Sequence, residues 1–246
     1  MVLRLVSWNI CHGGGKRYPE IIAQLRSWQP DVVGLSEFRG TAPSQSIATA
    51  LSEMGLTHQH STVDSTAPNN DRLLLASRYP FAIQTPSVYP HFGRWIHATL
   101  DGEITWTLIV MWVLNRDLTG VKYAFHDAVV QSLRPLAGQA GLAFGDTNTG
   151  APVLDEEASF FNVREGQWYK NLAQAGWIDL WRDRYPDRRE YTWHTPGSGT
   201  GFRIDQVFAT GYTNQYIRDV RYEWGSPPVG KLRGPSDHAA IIVDLH

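Results

Sequence analysis

Cysteine is almost missing from this chain. Cys11 is the one thiol in 246 residues, so no disulfide can close within it, which fits a reducing compartment. A single thiol also argues against a cysteine zinc site, and no HExxH motif is present, so no soft metal is expected. Long apolar runs are missing too. The longest, Leu108–Leu114, has the length of a buried strand and falls far short of the roughly 20 residues that a membrane span needs. The first residues, Val2–Trp8, carry Arg4 and read as a strand rather than a signal peptide. The cytoplasm is therefore the expected compartment, with no membrane span. An excess of one charge is absent as well: the net charge is −2 and the pI about 6.5. That excludes a protein that coats nucleic acid through a generally basic surface. Basic residues do gather locally, at Lys16–Arg17, at Arg182, Arg184, Arg188 and Arg189, and at Lys231 and Arg233. No repeat, low-complexity tract or linker interrupts the chain, and its length suits one domain over residues 1–246.

Aromatic residues are abundant, with ten Trp and ten Tyr. Such side chains fill cores, and they also line pockets and stack on sugars or bases. Short strand-like runs alternate with helical patterns. Val2–Trp8 and Asp31–Glu37 bracket an amphipathic segment, Pro19–Trp28, with Ile21, Ile22, Leu25 and Trp28 on its apolar face. Ser44–Met54, Asp127–Leu136, with Ala124–His126 as an alternative start, and Glu165–Ala175 read as further helices. Leu73–Ser77, Trp95–Leu100, Thr105–Val113, Leu142–Phe144, Ile204–Ala209, Tyr216–Trp224 and Ala240–Leu245 read as strands. Asp101-Gly102 is a hairpin-turn signal between two of them, and Gly197–Gly201 and Ser226–Gly230 read as loops. Evenly spread strands with helices between them predict an α/β unit of stacked sheets flanked by helices.

Acidic, amide and imidazole groups recur where apolar strands end: Asn9, Glu37, Asp146 with Asn148, Asp205, and Asp237 with His238. Taken singly each suits a turn or a solvated strand end. As a set they suit a hard cation, because Mg²⁺ takes oxygen ligands, keeps several waters and uses one or two carboxylates beside a substrate phosphate. Strand-end loops are also where α/β sheets carry their sites. Other chemistries lack their motifs. His12-Gly13-Gly14-Gly15 has no G-x-S-x-G partner, Gly15-Lys16 is followed by Arg17 rather than Ser or Thr, and Gly197–Gly201 is not a dinucleotide fingerprint. His58-Gln59-His60 is expected to be a pair of exposed loop histidines.

Five segments occur in order: Ser7-Trp8-Asn9-Ile10, Pro30-Asp31-Val32-Val33-Gly34-Leu35-Ser36-Glu37, Gly145-Asp146-Thr147-Asn148, Arg203-Ile204-Asp205 and Ser236-Asp237-His238. Together they resemble the endonuclease/exonuclease/phosphatase superfamily over nearly the whole chain. Tyr191-Thr192-Trp193 followed by Gly201–Asp205 looks most like its exonuclease III and abasic-site endonuclease branch. The resemblance implies a four-layer α/β/β/α sandwich, DNase I-like, of two mixed sheets with the site at one edge. It implies that Glu37, Asp237 and Asn9 lie at a Mg²⁺ ion, with Mn²⁺ as the substitute. Asp146, aided by Asn148, would orient or deprotonate the attacking water. His238 would contact the scissile phosphate, and Asp205 would hold His238 and favour its protonated form. Asn9 counts among these catalytic groups as well.

Substrate contacts are expected at Asn115, Trp112, Trp193, Phe202 and Arg203. The branch has Tyr-x-Pro-Asn where this chain reads Trp112-Val113-Leu114-Asn115, so an indole N–H stands where an ionisable hydroxyl is typical. A sugar pocket maps onto Trp193, Phe202 and Ile204, and Arg182–Arg189 and Lys231–Arg233 are candidate contacts to a DNA backbone. The implied activity is hydrolysis of DNA phosphodiesters by a monomer with DNA as its partner. Two alternatives stand beside it: a phosphatase or phosphodiesterase of the same fold acting on small phosphoesters or phospholipid headgroups, and a catalytically silent binding module.

Overall fold

The computed structural model describes residues 3–85, 93–102, 104–115, 120–226 and 234–246. Lys231 and Arg233 lie outside them. Fourteen strands are present among the described residues: β1 Leu3–Asn9, β2 Val32–Phe38, β3 His58–Ser61, β4 Arg72–Ser77, β5 Phe81–Ile83, β6 Trp95–Leu100, β7 Trp106–Trp112, β8 Ala140–Asp146, β9 Trp177–Asp179, β10 Trp193–His194, β11 Gly201–Phe202, β12 Asp205–Thr210, β13 Ile217–Glu223 and β14 Ala240–Leu245. The helices are α1 Tyr18–Trp28, α2 Ala42–Glu53, α3 Val121–Leu133, α4 Val163–Gln174, α5 Leu180–Arg184 and α6 Gly211–Asn214. Two six-stranded sheets form, in the orders β13-β14-β1-β2-β4-β3 and β5-β6-β7-β8-β12-β9. β1 and β2 pair in parallel at the centre of one, and β7 and β8 do so in the other. Each sheet is therefore mixed, as expected.

The layering follows from alternation along each strand. On β7, Leu108, Val110 and Trp112 join the cluster between the sheets, while Ile109 and Met111 face α3 and α4. On β14, Ile241, Val243 and Leu245 point inward, and Ala240 and Ile242 face α1 and α2. Both faces of each sheet are covered, so the strands read as nearly continuous apolar runs. Where the sheets meet, Gly34 is required by space: a Cβ there would lie 2.4 Å from the Phe144 ring. Gly145 allows β8 to approach β7, since a Cβ there would lie 1.8 Å from the Met111 carbonyl oxygen, and its φ of +144° suits glycine alone.

Several elements differ from the sequence reading. The expected hairpin of β6 and β7 forms, with β7 beginning at Trp106 rather than Thr105. His58-Gln59-His60 is not a loop: it pairs with β4 as an edge strand, and burial lowers the pKa of the half-buried His60. α3 begins at Val121, earlier than expected, because buried Lys122 is paired with Glu165 of α4 at 2.5 Å and accepts a place inside the helix pair.

The basic clusters are largely structural. Arg203 is fully buried; its guanidinium donates to Asp155 at 2.7 and 2.9 Å and to Asp179 at 2.6 Å. It cannot reach a substrate, which corrects the substrate-binding role expected of it. Its work is to lock β12, which carries Asp205, to the loop after β8 and the end of β9. Arg182 pairs with the same Asp155, Arg184 donates to the Ile217 carbonyl, and Arg188 pairs with Glu190. Arg182 and Arg184 are committed within the fold, contrary to the DNA-backbone contacts expected of them, whereas the Arg188 side chain remains 59% exposed. Burial alone would raise the Asp155 pKa, but Arg203 and Arg182 hold it below the ordinary carboxylate value. Removing that carboxylate leaves two guanidinium groups short of their partner in the interior. Asp155→Ala is expected to cost about 3–5 kcal/mol of stability, read as a lower midpoint in urea unfolding with the slope unchanged.

Candidate active site

The strand ends expected to carry the chemistry converge on one cleft of about 440 Å³. Asn9 ends β1 and is buried. Its amide Nδ2 donates to Glu37 Oε1 at 3.0 Å and to Asp146 Oδ2 at 2.9 Å, so one side chain ties the end of β2 to the end of β8. Glu37 reaches the cleft through a β-bulge. The β2–β4 register shifts between Ser36 and Phe38, and Glu37 itself sits at φ +58°. A bulge re-aims a side chain that regular alternation would direct elsewhere. The second Glu37 oxygen accepts from the His12 backbone N–H at 2.8 Å.

Asp146 lies directly across from Asp205 in the β8–β12 pairing. Its carboxylate accepts from the Asn148 backbone N–H at 2.9 Å and from the Asn148 side chain at 3.1 Å. Asn148 takes φ +44°, a conformation asparagine tolerates, and anchors its amide on the Val113 carbonyl at 3.0 Å. Burial, with Asp205 and Glu37 nearby and His238 opposing, pushes the Asp146 pKa up to about 7. His238 Nδ1 stands 2.9 Å from Asp205 Oδ2. Burial would lower the His238 pKa, but Asp205, Asp146 and Asp237 outweigh it and push the value up to about 10. The imidazolium form is therefore the resting one. The backbone around His238 is pinned as well: Trp8 donates to its carbonyl at 2.9 Å, and Ser236 Oγ donates to the Asn9 carbonyl at 2.6 Å.

Asp237 lines the same cleft and accepts from the Trp193 indole at 3.3 Å. Burial would raise its pKa, but His238, Cys11 and Trp193 hold it low. Among the described residues, neither Glu37 nor Asp237 pairs with a Lys or Arg. Two cleft-lining carboxylates without a basic side chain, beside the Asn9 amide, fit a hard divalent cation. Asp146, Asp205 and His238 also cluster within 4.8 Å. A protonated His238 offers no lone pair, so that trio suits proton and charge chemistry rather than ligation.

The cleft is also lined by apolar side chains. Trp112, Trp193, Phe202 and Ile204 are among them, together with Asn115. Two aromatics were missed by the sequence reading: Phe161, which packs on Phe202 and Ile204, and Phe160, which remains 62% exposed at the cleft. Buried Glu156 holds both, accepting their backbone N–H groups at 2.7 and 2.6 Å. No periodic pattern marks that loop. Arg94 was missed also; its guanidinium stacks over the Trp112 ring at 3.5 Å. The Trp112 Nε1–H is buried and has no hydrogen-bond partner among the described residues.

A thiol and an imidazole also stand near Glu37. Cys11, His12 and Glu37 offer donor atoms that all lie within 4.8 Å of one another. Cys11 and His12 are consecutive left-handed residues, both at φ +54°, which turns them back over the end of β1. The thiol bonds to Asp237, and burial together with the Asp237 charge pushes its pKa up to about 12.

Solved structures resemble this one along its whole length. An AP endonuclease from Archaeoglobus fulgidus superposes with a TM-score of 0.82 at 18% identity, with 99% of both chains covered. The 3′-5′ exonuclease NExo from Neisseria meningitidis gives 0.80 at 21% identity, again over 99% of both chains. The AP endonuclease LMAP from Leishmania major gives 0.76 at 15%, covering 99% of this chain and 87% of that one. These likenesses establish a shared fold. A comparison with curated protein sequences finds no match. No helix among the described residues is long and apolar enough to cross a membrane. The family model described as Endonuclease/Exonuclease/phosphatase family matches residues 6–238, so nearly the whole sandwich and every strand end at the cleft fall within it, and the chain belongs to that family.

Proposed function

We propose that this protein is a divalent-metal-dependent phosphodiesterase that hydrolyses nucleic-acid phosphodiesters, DNA foremost, with Mg²⁺ or Mn²⁺ as the expected cation. The observation that carries the reading is the hydrogen-bonded row Glu37–Asn9–Asp146 beside the Asp205–His238 pair, at a cleft also lined by aromatic side chains. Solved structures of similar shape include an AP endonuclease, a 3′-5′ exonuclease and the 3′ phosphatase NExo from Neisseria bound to product DNA hairpin.

Glu37 and Asp237, with Asn9 beside them, would hold the cation. A bound divalent ion supplies Lewis-acid polarisation of a phosphoryl oxygen. Asp146 orients the attacking water and takes its proton; a base whose pKa sits at about 7 is matched to that task near neutrality. Asn148 fixes the Asp146 carboxylate so that its free lone pairs face the cleft. His238, cationic and held by Asp205, lies against the charge that grows on the non-bridging oxygens. The Trp112 indole N–H, without a hydrogen-bond partner among the described residues, would donate to a phosphate oxygen in place of a hydroxyl, and Asn115 would contact the backbone beside it. Trp193, Phe202 and Ile204 receive the sugar. Arg203 has no part in substrate contact.

Abasic, nicked, blunt-duplex and single-stranded DNA should be incubated with Mg²⁺ and with EDTA, beside a panel of phosphomonoesters and lipid phosphodiesters. Metal-dependent cleavage of at least one DNA is expected; turnover confined to the small or lipid esters would reject the substrate class. Asp146→Asn and His238→Ala are each expected to lower kcat by about 10²–10⁴-fold with the far-ultraviolet spectrum retained. The alkaline limb of kcat/KM against pH should follow loss of the His238 proton, so activity persists below that ionisation and falls above it. Asp205→Asn removes the largest stabiliser of the imidazolium and should move that limb to lower pH. Trp112→Phe keeps the ring and deletes the donor. It should lower kcat/KM about tenfold, as for one hydrogen bond to a charged group, whereas an unchanged value would remove the indole from the phosphate contact.

A further inference from the structure

The loop between β8 and α4 turns large apolar side chains toward solvent. Val153 is 65% and Phe160 62% exposed, and Phe160 lines the cleft itself. Neither hangs on a loose segment. The buried Glu156 carboxylate accepts the backbone N–H groups of Val153 at 2.9 Å, Phe160 at 2.7 Å and Phe161 at 2.6 Å, so the loop is gathered around one side chain. Val153 is held there at φ +74°, a strained setting for a β-branched residue. The Phe160 ring stands 5.5 Å from Phe202 and 5.7 Å from Phe161, edge to face in both contacts. Charge adds a second constraint. From Gly150 to Val163 the sequence has no Lys or Arg and carries Asp155, Glu156 and Glu157. Such a segment offers a phosphate backbone no side-chain cation, so what it can meet in a nucleic acid is a base.

We infer that Phe160 is a specificity-determining residue: it stacks on the base of the nucleotide whose sugar enters the pocket of Trp193, Phe202 and Ile204, and so selects a nucleotide with an unpaired base over a paired one and over a bare abasic sugar. The inference rests on the nuclease reading above and names the kind of nucleotide that reading leaves open. Phe202 is the link. It belongs to the sugar pocket and packs on Phe160, so a base carried by that sugar arrives at the Phe160 ring. Every base has a π face to stack, whereas an abasic sugar has none, and the contact is lost with it. A paired base is already stacked in the duplex and must leave it first, at a free-energy cost that is least for a mismatched or single-stranded base. The ring is open in the free protein and its backbone is already fixed by Glu156, so binding orders little of the loop. Stacking of this kind reads no base edge, and the selection is for pairing state rather than for sequence.

The test is a binding measurement that needs no turnover. Hairpin DNAs ending in a paired thymine, a mismatched thymine, a mismatched 5,6-dihydrothymine or an abasic sugar at the 3′ nucleotide are titrated in EDTA and read by fluorescence anisotropy. The mismatched thymine is expected to bind tightest, about tenfold over the abasic end. Dihydrothymine keeps the hydrogen-bonding edge and loses the flat aromatic face, so it should bind less well than thymine. Phe160→Ala and Phe160→Leu should each bring the thymine-to-abasic and thymine-to-dihydrothymine ratios close to one, and Phe160→Trp should retain both. Val163→Ser is the control, because that residue is 88% exposed at the end of the same loop and does not line the cleft; it should leave the ratios as they are. Ratios that survive Phe160→Ala overturn the proposal, and so does a wild-type protein that binds thymine and dihydrothymine alike. Mg²⁺-dependent cleavage of these DNAs with ratios indifferent to residue 160 defeats this inference alone. Ratios that depend on Phe160, without cleavage of any DNA under either Mg²⁺ or Mn²⁺, defeat the hydrolytic reading and leave the stacking assignment intact.

Discussion

The amide of Asn9 is the joint on which the site depends. It is a single buried group, and it donates to a carboxylate of its own sheet and to one of the facing sheet. Two acidic side chains that would repel each other are thereby held at a fixed separation by a neutral donor. Asn9 is itself held, since its Oδ1 accepts from the Cys11 backbone N–H at 2.9 Å and its carbonyl accepts from Ser236. An aspartate at that position would replace both donations with repulsion, and an alanine would leave two buried acceptors short. The relative position of Glu37 and Asp146 is thus a property of sheet packing, transmitted through one side chain, rather than of either loop.

The charge balance around that joint explains why the cleft holds its groups in unlike protonation states. Asp146 is buried among carboxylates and is pushed toward neutrality. His238 is buried among the same carboxylates and is pushed toward the cation. Asp205 divides them: it faces Asp146 across the β8–β12 ladder and bonds to His238. One negative charge raises the affinity of both neighbours for protons, and the result is a base of moderate strength next to a persistent acid. Arg203, locked by Asp155 and Asp179 just before Asp205, keeps that divider in register without entering the cleft.

The catalytic set was legible because each member stands at the end of an apolar strand, and strand ends are readable from alternation. Asn9, Glu37, Asp146 and Asp205 all sit at such ends, and Asp237 with His238 directly precedes β14. What failed to show has physical reasons. Arg203 looked like a substrate contact because its partners, Asp155 and Asp179, lie 48 and 24 residues away in a loop and a three-residue strand. β3, β9, β10 and β11 are only two to four residues long, too short for any period to register. Lys122 disguised the start of α3, since a charged residue on a buried face is unreadable until its partner is seen. Phe160 and Phe161 are placed by the Glu156 carboxylate rather than by a repeat. Cys11 was visible as a count but not as a neighbour of Glu37 and Asp237, because two successive left-handed residues bring it there.

The bulge at Glu37 makes the end of β2 intolerant of counting errors. Upstream, Val32 to Ser36 run in regular pairing with β4, and downstream Phe38 is already back in the ladder and buried. Loss of one residue between them would restore the ladder and present a phenyl ring, or nothing, where the carboxylate now stands. The helix that follows at Ala42 is joined by only three residues, 39 to 41, and Arg39 among them reaches the cleft-lining Asp71 at 2.6 Å and His12 at 2.9 Å. A chain that drifts in length elsewhere must therefore still spell the segment from Val32 to Arg39 with the same number of letters.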